Sequence, residues 1–249
     1  MEKTMKTIVI IPSRYGSARF PGKPLAQIAG KPMIQWVFEK AGHAKNVTDI
    51  YVATDDRRIY DIVRGFGGNA VMTSEKNRSG TDRVGEAAEK LDLGQDDIII
   101  NVQGDQPFFN PHCLDQLVAP FLKDPDLSMS TLAFKIVDKT EITNPKDCKV
   151  TFDQQGFALY FSRSPIPFGR DPHMRFDTYK HLGFYAYTRR FLDTFRSLPE
   201  GPLEKIEKLE QLRVIEYGHQ IKVVITEYDS PEVDLPEDIA RMEKILETQ

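Results

Sequence analysis

The chain has 249 residues, a formal net charge of -4 and 40% hydrophobic residues, a length at which a sizeable core can be buried. Its 33 Lys and Arg are scattered among 37 Asp and Glu, which argues against a nucleic-acid partner held by counterion release. Cys113 and Cys148 stand apart, the five histidines never pair at metal-ligand spacing and no stretch approaches bilayer length, so zinc, disulfides and membrane insertion are not expected and a soluble, reducing compartment is.

The first apolar run, "TIVII" at 7–11, is too short for a signal peptide and reads as a buried strand. "DIYVAT" (49–54), "NAVMT" (69–73) and "DIIINVQ" (97–103) repeat the pattern. Between them "KPMIQWVFEKAGHA", "DRRIYDIVRGFGG" and "GTDRVGEAAEKL" have helical spacing, the first with Pro32 where a helix begins. These are consecutive βα units with right-handed crossovers. After residue 125, "LSMSTLAFKIV", "DCKVTFDQQGFALYF" and "YKHLGFYAYT" read as antiparallel strands and hairpins. "GRDPHMRFD" (169–177) is the expected mobile loop, and the helices "PLEKIEKLEQLRVIEYG" and "PEDIARMEKILET" flank a last strand, "IKVVITE". Trp36 and the Phe and Tyr residues read as core throughout. The expectation is one α/β domain over 1–249, a Rossmann-like, mostly parallel sheet with a smaller antiparallel subregion at about 126–188.

Ligands of such a sheet bind at the carboxyl ends of its strands. "PSRYGSARFPGKP" follows the first strand and carries Arg14, Arg19 and Lys23 together with Gly16 and Gly22. Three cations can neutralise a triphosphate while glycines let backbone N–H groups approach its oxygens. A Walker A loop is excluded, because five residues separate the glycines and Pro24 follows Lys23, leaving no hydroxyl for magnesium. Asp105 in "NVQGDQP" reads equally as a turn former or as the missing carboxylate. Asp234, ahead of a proline-started helix, reads as ordinary capping unless it partners Asp105.

Taken together, "IPSRYGSARFPGKPL", "SGTDR", "NVQGDQP", "LYFSRSPIPF", "KHLGFYAY", "LEQLR" and "VDLPEDI" resemble the 3-deoxy-manno-octulosonate cytidylyltransferases, the CMP-KDO synthetases, in order along nearly the whole chain. The resemblance implies a nucleotidyltransferase fold and a cytoplasmic homodimer. It also implies a reaction that couples CTP, with Mg2+, to the anomeric hydroxyl of an eight-carbon 2-keto sugar acid for lipopolysaccharide synthesis. It places Arg14, Ser17, Arg19 and Lys23 on the CTP phosphates, with Lys23 facing the α-phosphate, and Ser79, Arg83 and Gln103 near the base and ribose. Asp105 and Asp234 become the magnesium carboxylates, and Arg163, His181, Tyr185, Glu210 and Gln211 receive the ulosonate.

Without the resemblance, His181 reads as a structural histidine and Glu210 and Gln211 as amphipathic helix surface. The family often has GDEP where Gln106 stands, VDTPED at Leu235 and histidine at Asn77, and the region 169–177 is shortened. A branch acting on the 8-amino analogue looks similar, with GDQP and "IPFGRD" among its features. Two other readings stay open: a cytidylyltransferase for a nonulosonate or a sugar phosphate, the latter using Arg163, Lys180 and Arg213, and a non-catalytic nucleotide-binding module. In-line displacement at phosphorus needs positioning and electrostatics more than a protein nucleophile, and none with a partnered base is evident.

Overall fold

Continuous β-branched runs need cover on both faces, and the fold provides it. The computed structural model describes residues 5–16, 19–171 and 173–247, so Ser17 lies outside the described residues. In chain order the elements are β1 (Thr7–Ser13), a small hairpin of β2 (Gln27–Ile28) and β3 (Lys31–Pro32), α1 (Met33–Ala41), β4 (Asp49–Thr54), α2 (Arg57–Gly65), β5 (Asn69–Met72), α3 (Gly80–Lys90) and β6 (Ile98–Asn101). There follow α4 (His112–Val118), β7 (Met129–Lys135), α5 (Thr140–Thr143), β8 (Lys149–Phe152), β9 (Ala158–Ser162), β10 (Tyr179–Thr188), α6 (Arg189–Ser197), α7 (Pro202–Glu207), α8 (Gln211–Glu216), β11 (Lys222–Thr226) and α9 (Asp238–Glu247).

The main sheet runs β11–β7–β10–β6–β1–β4–β5, with the β8–β9 hairpin paired to β10. β6, β1, β4 and β5 are parallel, as are β11 and β7, while β10 is antiparallel to both its neighbours. The strand β7, expected among antiparallel strands, therefore runs with the parallel set and is antiparallel only to β10. Along β1, Val9 and Ile11 join one core with α1, α2 and α4, and Ile8 and Ile10 join the other with α3, α6 and α8. That alternation is why "TIVII" is apolar at nearly every position.

The stretch 202–218 departs from the sequence expectation of one helix. It breaks after α7 at Lys208, which is left-handed at φ 55 and ψ 46, and α8 starts at Gln211. Across the break Arg213 donates Nε to Glu204 Oε2 at 2.7 Å and a second nitrogen to Oε1 at 2.5 Å, with both side chains buried and the guanidinium over the Phe195 ring. A bidentate pair of this kind fixes the angle between two short helices that have little intrinsic stability. The aromatic expectation also fails in part: Trp36 packs edge-on to Phe108, but Phe168 is 86% and Phe176 44% exposed. Both belong to the 167–176 segment.

Removing one partner of a buried ion pair strands the other charge. Glu204→Ala is therefore expected to lower the unfolding free energy by about 3–5 kcal/mol in urea titration. A loss below about 1 kcal/mol would show that the pair contributes little.

Candidate active site

All parallel strands end at one edge, and β1 lies at the point where the strand order reverses, between β4 and β6. The loop after β1 turns back at Gly22, whose φ of 72° opens the short 3-10 turn beginning at Lys23. Left-handed backbone favours glycine there, and the turn delivers the Lys23 side chain into the cleft. The loop after β6 comes equally close: a Cβ on Gly104 would sit 3.0 Å from Ser13 Oγ and 3.3 Å from the Pro12 carbonyl oxygen. Only a residue without a side chain lets Asp105 settle against the end of β1.

Lys23 Nζ donates to Asp105 Oδ2 at 2.7 Å and to the Val233 carbonyl at 2.9 Å, and lies 3.8 Å from Asp234 Oδ1. Arg19 grips both oxygens of Asp234 at 3.0 Å. The backbone seals the same junction, with Val233 N–H donating to the Asp105 carbonyl at 2.9 Å. Asp234 does not cap α9, which begins at Asp238 and not at Pro236. Asp238 Oδ2 instead accepts from the N–H groups of Asp234 and Leu235 at 2.8 and 2.9 Å, holding that turn so that the Asp234 carboxylate points at the cations.

A cavity of about 270 Å³ opens beside this cluster, lined by Ser13, Arg14, Arg19, Lys23, Ser79, Arg83, Gln103 and Asp105 among others. Ser79 caps α3 by accepting from Asp82 N–H at 3.1 Å. Arg83 is 4% exposed and committed to Asp55 Oδ2 at 2.5 Å and Thr73 Oγ1 at 2.6 Å. Neither partner was singled out from sequence, although Asp55 follows β4 directly and the strand-end rule points to it. Glu232 is a second omission. Burial of its carboxyl, then the charges of Asp105 and Asp234, push it up to about 7; since the residue as a whole is exposed, the like charges are the firmer cause. Gln106, fully buried, donates to it at 3.1 Å and to the Leu182 carbonyl at 2.8 Å.

The second group of candidates gathers where β10 runs past the end of β6. The register between β10 and β7 shifts between His181 and Tyr185, and Gln103 donates to the Gly183 carbonyl at 3.1 Å. His181 Nε2 is 2.7 Å from Thr131 Oγ1, its ring packed between Phe161 and Tyr185. Burial pushes it down to about 3, so it is neutral at physiological pH. Tyr185 donates its hydroxyl to Gln211 Oε1 at 3.0 Å, and Gln211 is 2% exposed. Neither Glu210 nor Gln211 is exposed helix surface; the break at Lys208 turns them inward.

Arg163 is arranged differently. Its guanidinium donates to the carbonyls of Glu207 at 2.8 Å, Pro145 at 2.9 Å and Lys208 at 3.4 Å.

Among the described residues no set of three or more His, Cys, Asp or Glu side chains is arranged as a metal site. The two carboxylates that meet at Lys23 still suit a hard cation. Magnesium commonly takes one or two protein carboxylates and completes its shell with water and substrate phosphate, so Asp105 and Asp234 fit that ion.

A family model described as cytidylyltransferase matches residues 8–222. The 3-deoxy-manno-octulosonate cytidylyltransferase of Desulfosudis oleivorans is 64% identical over 242 residues, covering 97% of this chain and 98% of that protein. The 8-amino-3,8-dideoxy-manno-octulosonate cytidylyltransferase of Shewanella amazonensis is 57% identical, covering 97% and 99%. A solved structure of CMP:2-keto-3-deoxy-manno-octonic acid synthetase complexed with CTP aligns at a TM-score of 0.92 with 40% identity, over 98% of this chain and 99% of that one.

The His181 shift has a fixed sign. Its folded pKa lies below the unfolded value, so its neutral form contributes fully above about pH 6.5 and that contribution is lost as pH falls towards 3. From pH 8 to pH 5 the expected loss is about 2 kcal/mol, read from urea midpoints, and His181→Gln is expected to flatten that slope. An unchanged slope would mean that the ring is protonated in the folded protein.

Proposed function

Because this chain belongs to the 3-deoxy-manno-octulosonate cytidylyltransferases, and so is a nucleotidyltransferase, we propose that it transfers CMP from CTP to the anomeric hydroxyl of 3-deoxy-manno-octulosonate. The acceptor hydroxyl gives up its proton, which ends on pyrophosphate or in solvent, its oxygen forms a bond to the α-phosphorus, the bond to the bridging oxygen breaks, and pyrophosphate leaves. The observation that carries the reading is the convergence of Lys23, Arg19, Asp105 and Asp234 at the mouth of the cavity.

In this reading Lys23, pinned by two hydrogen-bonding oxygens and a nearby carboxylate, meets the charge that builds on the α-phosphate. Preorganised charge of this kind is usually the largest catalytic contribution. Arg14 and Arg19 hold the remaining phosphates, and Ser17 joins them from the same loop. Asp105 and Asp234 would hold Mg2+, which would supply neutralisation of the phosphate charge. Ser79, Arg83 and Gln103 shape the nucleoside side, with Arg83 held rigid by Asp55. Tyr185, Gln211, Glu210 and His181 offer hydroxyl, amide, carboxyl and imidazole groups to the acceptor's hydroxyls. Arg163 orders the walls of that subsite through the carbonyls it holds.

A sugar-phosphate acceptor fits less well. Lys180 is taken up by Glu141 at 2.6 Å and Asp229 at 3.0 Å, and Arg213 by Glu204, so two of the three cations that reading needs are already paired with carboxylates, and the Arg163 guanidinium is committed to backbone carbonyls. The 8-amino analogue is the second acceptor we propose, since relatives with that activity in their names are 55–57% identical to this chain. Use of CTP sets the reaction in the cytoplasm, where the product would supply lipopolysaccharide synthesis.

The proposed homodimer contact is the segment with exposed Phe168, Met174 and Phe176, an apolar patch that a second copy would cover. Light scattering is expected to give a dimer, and Phe168→Glu with Met174→Glu a monomer; a variant that stays dimeric moves the contact elsewhere.

The activity test is pyrophosphate release from CTP and magnesium with 3-deoxy-manno-octulosonate, its 8-amino analogue, a nonulosonate and a hexose 1-phosphate in parallel. Release with an octulosonate alone is the expected outcome, and Asp105→Ala should slow it by at least about a hundredfold, about 2.7 kcal/mol of barrier. Release only with the nonulosonate or the phosphate would overturn the acceptor, and silence with all four would leave a nucleotide-binding module.

A further inference from the structure

The acceptor side and the nucleotide side of the cleft meet in the first turn of α3. Arg83 extends from this turn to Asp55 and Thr73 at the ends of β4 and β5. Thr81, two residues earlier, occupies another face of the helix, is 3% exposed, and donates its hydroxyl to Glu210 Oε1. The two residues are 129 positions apart. Val84, Ala87 and Ala88 of α3 belong to the apolar core shared with Leu209 and Leu212 on either side of Glu210. A carboxyl pointing into such surroundings needs a partner, and the helix supplies one.

The surroundings of this contact are more polar than a core requires. The Tyr187 hydroxyl, fully buried, lies beside Thr81 and Asn101, and burial and then the charge of the Glu210 carboxyl raise its pKa well above the ordinary phenol value. Its oxygen and both amide atoms of Asn101 have no well-formed partner in the protein. Buried polar atoms left in this way cost stability unless a water or a ligand satisfies them. Apolar side chains would serve packing better at each of these positions.

We infer that Thr81 is a positioning residue of the acceptor subsite, fixing the Glu210 carboxylate so that acceptor and nucleotide are gripped from two faces of one helical turn. Thr81 acts through Glu210 and does not touch the reacting atoms. The inference rests on Glu210 being an acceptor contact, as in the proposed function. A hydroxyl is needed, and the methyl group of Thr81 is incidental, so serine should serve and valine should not.

Three variants separate the possibilities. Steady-state kinetics of Thr81→Val should show KM for the octulosonate raised about tenfold or more, the scale of a lost hydrogen bond to a charged group. KM for CTP should change little, while the melting temperature falls by a few degrees because the buried carboxyl loses a partner. Thr81→Ser should restore the acceptor KM. Equal increases in both KM values, or a normal acceptor KM in Thr81→Val, would overturn the inference. Glu210→Gln shows which reading has failed: if it raises the acceptor KM while Thr81→Val does not, only the role of Thr81 is lost. If neither variant raises it, Glu210 is not an acceptor contact.

Discussion

The ammonium of Lys23 is the fixed point of the cleft. It binds a carboxylate from the loop after β6 and a backbone carbonyl from the loop after β11, and lies close to a second carboxylate from that loop. A lysine ammonium has three donors and a long flexible stem, so by itself it would localise nothing. Two hydrogen-bonding oxygens and a nearby carboxylate supply the rigidity, and Gly22 and Gly104 make their approach possible. Everything else in the cavity is arranged around a charge that has one place to be.

The side of the cleft that holds His181 and Gln211 depends on a different constraint, the antiparallel course of β10. Because β10 runs opposite to its neighbours, its first residues overhang the carboxyl end of β6 and bring His181 and the register shift over Gln103 and Gln106. A parallel strand at that place would start at the far edge. One reversed strand thus puts a second set of polar side chains beside the first without adding a domain.

What could be read from the sequence follows from how local the cause is. The parallel half of the sheet, the loop cations, Asp105 and the edge at which they gather were legible, because each is announced by a short apolar run and the residues just after it. The inward turn of Glu210 and Gln211 was not. Amphipathic spacing continues unbroken through 202–218, and the left-handed residue is a lysine where glycine would have given a signal. The Asp55–Arg83 and Glu204–Arg213 pairs are tertiary, and a charge in sequence carries no sign of its partner. Asp234 shows the same limit from the other side: its place before a proline suggests a cap, while the cap-like work on that turn falls to Asp238.

The contact between Arg19 and Asp234 joins residues 215 positions apart, which has a temporal meaning. Closing so long a loop is a late event, favourable only once the intervening sheet exists to hold its ends. A nascent chain that has emerged as far as β10 can pair the strands flanking β1, yet its basic loop still lacks one of its two carboxylates. The chemistry is therefore assembled last, and a chain stopped before the loop after β11 would hold most of the fold with an incomplete charge cluster. The closed charge cluster is a property of the whole fold and not of its parallel half.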